Sequence, residues 1–286
     1  MAESLSHKFG QIIGELLEIA LQPNLEKFAK KHKLFLDKKG ERLVRKGKKL
    51  TWVDIKNNTH DLDFVLERAG TGKVLGTPVA FIEIAWRKST RHSKNKVQEI
   101  QGAIIPLAEK YKNSIPFLGV LLAGRFTNGA LNQLRSLGFS VLYFPSETVI
   151  NAFKKFGIDA DSDDYTLEKE YKRKIDSWKK TPHKEAIAKE LINLNKKEVD
   201  IFFSSLSDSV SRYIDNIFIL PLHGQESSLG TITEAIFFLE NYIENNLQHL
   251  LVKYEIIIRY NTGDKIEASF KEKKDAMNFL GTYNKS

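Results

Sequence analysis

Apolar residues at Ile12, Ile13, Leu16, Leu17, Ile19 and Ala20, then Leu25 and Phe28, recur at helical spacing. They predict a helix over residues 10–31 that is interrupted or restarted at Pro23. Residues 34–36 read as a short strand and residues 38–49 as a charged turn or hairpin. Residues 52–55 and 61–66 are strand-like; in the second, Leu62, Phe64 and Leu66 alternate with Asp61, Asp63 and Val65. A turn at residues 70–72 precedes a strong strand at 79–86. Residues 94–111 predict a helix with Val97, Ile100, Ala103, Ile104 and Leu107 inward and Pro106 as a kink point. The unbroken apolar run at 117–123 has the signature of a strand buried on both faces. A helix at 130–137 ending at Gly138, a buried strand at 140–144 and a helix at 147–156 stopping at Gly157 complete this half.

After Asp164 the pattern changes. Residues 165–180, 184–195 and 197–214 read as charged amphipathic helices. Residues 231–250 read as a further helix carrying Ile232, Ala235, Ile236, Phe237, Leu239, Ile243 and Leu247. Strands at 255–259 and 265–270 flank Asn261-Thr-Gly-Asp264 as a hairpin, and a last helix covers 271–280. The order predicts an α/β fold with a central mixed sheet flanked by helices in residues 1–160. Residues 161–286 are expected to form a mainly helical part that ends in a β-hairpin and helix.

Composition narrows the chemistry. The 286 residues are 42% hydrophobic and contain no cysteine. A sizeable core is therefore expected, and disulfides, thiolate metal sites and thiol catalysis are excluded. The longest apolar runs (117–123, 141–144 and 217–222) are far shorter than a membrane span, and residues 1–10 lack a signal-like apolar region. The expectation is a soluble cytoplasmic protein with no membrane partner.

The formal charge of +8 is concentrated. Residues 26–49 hold eleven Lys and Arg against Glu26, Asp37 and Glu41, so this stretch alone equals the net charge of the chain. A second cluster at 87–96 contains Arg87, Lys88, Arg91, Lys94 and Lys96 and no acid. Such clusters suit a polyanion, whose binding releases counterions; a solvated helix face with a basic loop is the plain structural reading. Trp52 and Trp86 beside the clusters favour nucleic acid. Four Asp at residues 159–164 read as a linker boundary.

Carboxylates inside apolar strands need an explanation, because burying one unpaired is costly. Asp63 lies in His60-Asp-Leu-Asp-Phe-Val-Leu66 and Glu83 in Ala80-Phe-Ile-Glu-Ile-Ala-Trp86, with Gly70 and Gly72 between them. Hairpin pairing would bring both to one sheet face. Two carboxylates there form a hard-oxygen site suited to Mg²⁺, which polarises phosphodiesters and activates water. The structural reading is an exposed turn for Asp61 or Asp63 and an ion pair with Arg87 for Glu83. Other chemistries lack their patterns. The seven His show no metal-ligand spacing, Gly70-Thr-Gly-Lys73 lacks the rest of a phosphate loop, and His223 follows an apolar run at a turn.

A helix, a strand with Asp63, a strand with Glu83, then a helix and a strand resemble the PD-(D/E)xK nuclease superfamily, home of many type II restriction endonucleases. The resemblance covers residues 10–144. It implies a restriction endonuclease-like core cutting double-stranded DNA with Mg²⁺, and a homodimer matched to a palindromic site. Asp63 and Glu83 take the places of the two motif acids as metal ligands, with Asp61 and Glu15 as further acids; Glu18 is the alternative to Glu15. The family's lysine two residues after the second acid is replaced by Ala85, and no proline precedes Asp63. Lys96, three residues before Glu99 on the next helix, is the expected substitute cation, with Glu99 beside it and Lys94 and Arg87 as alternatives. Arg87, Lys88, Arg91, His92, Lys94, Asn95, Lys46, Lys48 and Lys49 would contact DNA; the plain structural reading of residues 91–96 is a solvated helix start with Ser93 as cap. A repair or junction nuclease on the same fold, a non-catalytic DNA-binding protein and a protein-interaction module stay open.

Overall fold

The computed structural model describes residues 4–222, 224–246 and 249–283, and the chain divides into two compact units, through Val210 and from Ser211. The first is built on a five-stranded mixed sheet of β1 (Leu34–Lys38), β4 (Phe64–Arg68), β5 (Thr77–Arg87), β6 (Phe117–Gly124) and β7 (Ser140–Pro145), in that order. β1, β4 and β5 pair antiparallel, while β5, β6 and β7 pair parallel. The two parallel crossovers are α2 (Ser93–Lys110) and α3 (Asn128–Ser136), which cover one face. On the other face lie α1 (Leu5–Lys31), α4 (Ser146–Lys154), α5 (Glu168–Lys180), α6 (Lys184–Leu194) and α7 (Lys196–Val210).

Strand alternation divides the core in two. Phe64, Leu66, Ala80 and Ile82 pack towards α1, whereas Val65, Phe81 and Ala85 pack towards Val97, Ile100 and Ile104 of α2. A two-stranded hairpin of β2 (Leu50–Val53) and β3 (Thr59–Leu62) closes the α2 side with Leu50, Trp52 and Leu62.

Several expectations are corrected. α1 runs unbroken through Pro23, because Leu21, Leu25 and Phe28 bury its face on both sides of the ring. The helix expected at 94–111 is present as α2, with Pro106 inside it. The strand expected at 61–66 splits at Asp63, where the chain leaves the β2–β3 hairpin and enters the main sheet. Trp52 is a core residue edge-on to Phe81 and Tyr111, and Trp86 packs against the α1-side core, so neither supports nucleic-acid stacking. Residues 159–164 are no linker: Asp159 binds the buried ammonium of Lys174 at 2.5 Å, and Tyr171 donates to the Asp163 carbonyl. The helices after Asp164 thereby belong to the first unit, and the division falls after Val210 rather than after residue 160.

The second unit is mainly sheet rather than helix. It contains β8 (Ile214–Leu222), β9 (Ser227–Leu229), α8 (Ile232–Asn241), β10 (Asn245–Asn246), β11 (His249–Leu250), β12 (Lys253–Tyr260), β13 (Lys265–Phe270) and α9 (Lys273–Gly281). Its four-stranded antiparallel sheet, ordered β13-β12-β8-β9, buries Ile217, Ile219, Tyr254, Ile256 and Ile258 with residues of α8 and α9. The helix expected at 197–214 stops at Val210, since Ile214 starts a strand whose partner is β12. The helix expected at 231–250 stops at Asn241; Leu247, and the His223 singled out in the sequence, lie outside the described residues. The expected terminal hairpin and helix are present. Among the described residues no helix is long and apolar enough to cross a membrane.

Candidate functional site

Phe64 faces Ile82 across the β4–β5 ladder, so the register carried one residue further sets Asp63 against Glu83. Lys38 faces Phe64 on the other side, and the same step places Lys39 beside Asp63. Lys39 and Asp63, each one residue outside its strand, thus fall in a row with Glu83 of β5. Glu83 shares its sheet face with Phe81 and Ala85, the face covered by α2.

Both carboxylates are raised from their ordinary values. Asp63 Oδ2 accepts the backbone N–H of Ile84 at 2.6 Å. Glu83 is 9% exposed, and its Oε1 is buried without a hydrogen-bond partner. Burial, followed by the repulsion of Asp63, pushes the Glu83 carboxyl up to about 8, against a weaker opposing pull from Lys96. Burial also raises Asp63, opposed by the Ile84 amide and by the charges of Lys96 and Lys39.

Lys96 comes from the first turns of α2, where Val97 and Ile100 anchor the helix in the core. Its ammonium lies 3.2 Å from Glu99 and attracts both Asp63 and Glu83. Glu99 stays exposed and is also 3.9 Å from Arg87, which bonds the Trp86 carbonyl. Ala85 is buried in the α2-side core, so the position where the motif has lysine is occupied by packing.

The further acids sort differently from the sequence expectation. Glu15 turns towards α5 and α6, accepting from Trp178 Nε1 at 3.3 Å and Lys184 Nζ at 3.4 Å. Glu18, one turn on, faces Asp63; burial and that neighbouring charge raise its carboxyl. Asp61 is exposed and tied to Lys49 and Thr51, both at 2.6 Å, and Lys49 chiefly holds it below the usual carboxylate range. A cavity of about 240 Å³ is lined by Glu18, Gln22, Lys39, Lys49, Asp61 and Asp63 among others; Glu83 is outside its lining. Among the described residues no group of three or more acids and imidazoles is arranged to hold a metal ion.

The donor set nevertheless fits Mg²⁺, which takes one or two carboxylates and completes its shell with waters or phosphate. The unpartnered Glu83 Oε1 beside a second carboxylate is an oxygen with no protein donor to satisfy it. A cation between Asp63 and Glu83 would offset the burial that raises both and the Asp63 charge that further raises Glu83.

Of the expected DNA contacts, Arg91 and His92 lie exposed on a short turn, and Lys94 and Asn95 are exposed at the start of α2. Ser93 is buried and donates to the Thr90 carbonyl instead of capping α2; a core serine cannot serve the helix end. Lys88 turns to the opposite sheet face, 3.1 Å from Ser6 Oγ, 3.6 Å from Asp164 and over the Tyr171 ring. Lys46, Lys48 and Lys49 are exposed, the last two near Glu41 at 3.7 Å and Asp61. Lys39 was missed as a site residue because only the β1–β4 pairing separates it from the rest of the basic run.

No family model and no curated protein matches the chain. Among solved structures, a protein of unknown function, AF1548, is similar over 65% of this chain and 99% of its own, with 8% identity and a TM-score of 0.27. These values carry no argument about fold or function.

Proposed function

We propose that the chain is a Mg²⁺-dependent endonuclease of the PD-(D/E)xK type that hydrolyses phosphodiester bonds of double-stranded DNA, sequence-specifically and as a homodimer in the manner of type II restriction enzymes. The observation that carries this reading is the cross-strand pair of Asp63 and Glu83, two mutually repelling carboxylates with Lys96 beside them. Asp63 and Glu83 would hold the cation, which when bound polarises the phosphodiester and acidifies water. Lys96 orients the attacking water and offsets the charge developing at phosphorus. Arg91, Lys94 and Asn95 meet the backbone or base edges beside the scissile bond. Cleavage of both strands is most simply done by two copies related by a two-fold axis. Ala85 favours a second reading, a DNA-binding protein that does not cut.

The test is incubation of purified protein with unmodified plasmid and genomic DNA in Mg²⁺ or in EDTA, alongside Glu83→Ala. Discrete Mg²⁺-dependent fragments that the variant fails to produce are expected. DNA that is retarded but intact would establish the second reading instead.

A further inference from the structure

The segment between β1 and β2 carries an unusual surface. Leu43 at its tip is 80% exposed and Val44 is also exposed; across from them, Val74 and Leu75 in the β4–β5 connection are 54% and 52% exposed. The two turns are fastened by one side chain. Arg42 is buried, binds Asp37 at 2.6 Å and Glu67 at 2.5 Å, and donates to the carbonyls of Thr71 and Val74. Arg45 holds the same turn through Asp37, the Lys38 carbonyl and the Gly40 carbonyl. The exposed leucine is thus presented by a preorganised loop, and its exposure has no packing explanation.

Charge selects the occupant. Exposed Lys46, Lys48 and Lys73 flank these apolar residues along the two turns, and exposed Glu41, 3.7 Å from Lys48, is the acid among them, so the balance stays basic. A second copy meeting this patch through a two-fold axis would bring like charges together. A polyanion would not. Lys39 and Lys49, at the two ends of the loop, line the cavity that contains Asp63, so the loop that carries the patch is rooted at the candidate site.

We propose that Leu43, with Val44, is an apolar wedge that presses into the base stack of duplex DNA while the surrounding lysines hold the phosphates on either side. Apolar side chains on cationic loops unstack base steps in this way, and the distortion is repaid by wider contact. The inference rests on the proposed reading only in taking duplex DNA as partner; catalysis does not enter it.

The experiment measures binding of the full chain to a mixed-sequence duplex containing 2-aminopurine, in EDTA, over a series of salt concentrations. Leu43→Ala is expected to weaken binding about tenfold with the salt dependence unchanged, and to abolish the 2-aminopurine signal that wild type produces. Lys46→Ala with Lys48→Ala is expected to flatten the salt slope by about two phosphate contacts. Because Leu43 is exposed, its truncation leaves the fold intact. An unchanged affinity and signal in Leu43→Ala overturns the wedge even if the lysine variant behaves as expected. So does a wild-type dimer that Leu43→Ala dissociates without loss of DNA affinity. A protein that binds and unstacks DNA but never cuts it in Mg²⁺ retains the wedge and loses the nuclease reading.

Discussion

Glu83 has a raised carboxyl because folding removes it from water and sets it against Asp63. Its protonated form is therefore favoured by the folded state. The resulting stability is complete below the ordinary carboxylate value near 4.5 and is lost as pH rises through about 8. In EDTA, the thermal midpoint is expected to fall across that window, and Glu83→Gln should remove the Glu83 share of the fall. Added Mg²⁺ should reverse it at the alkaline end. A wild-type midpoint that is flat over the window would show that burial and Asp63 do not raise Glu83 as described. Lys96 is the cation whose charge acts on both Asp63 and Glu83. Its replacement by Met is expected to lower the cleavage rate by about a hundredfold with duplex affinity little changed. Parallel losses of rate and affinity would make it a phosphate contact instead.

At the scale of elements, β1, β4 and the segment after β1 are joined by Arg42, whose guanidinium serves Asp37, Glu67 and two carbonyls at once. Truncation to Met would leave Glu67 buried and without its charged partner, keeping only the Gly76 N–H as donor. A loss of about 3–5 kcal/mol is expected in denaturant unfolding, against about 1 kcal/mol or less for the exposed Lys48–Glu41 pair. Equal effects would contradict the assignment of Arg42 to the interior. This network also shows where sequence reading stops. Glu83 was legible because five apolar neighbours surround it in one strand, and β6 because its apolar run is unbroken. Arg42 and Arg45 read only as members of a basic run, since what buries them is a partnership with Glu67 and Asp37 formed by strand pairing. Glu15 and Glu18 share a helix, and only the packing of α5 and α6 against α1 decides that Glu15 turns away. Ile214 continued a helical period and became a strand because β12, some forty residues later, pairs with it.

At the scale of the molecule, the two hydrophobic clusters of the first unit lie wholly within residues 4–210, and the helices after Asp164 supply Trp178, Leu191 and Phe202 to the larger one. A chain ending at Val210 is expected to unfold cooperatively, whereas one ending at residue 160 would expose that face and aggregate. A soluble, cooperative 1–160 fragment would refute this division. The account of the whole chain depends on Asp63 and Glu83 acting as two halves of one metal site. The most direct measurement is calorimetric titration of Mn²⁺, as a probe for Mg²⁺, into the 286-residue chain and into its Asp63→Asn and Glu83→Gln variants. One site in wild type, lost or weakened at least tenfold in each variant, is the predicted result. Binding that is absent from wild type, or equal in all three proteins, would contradict it.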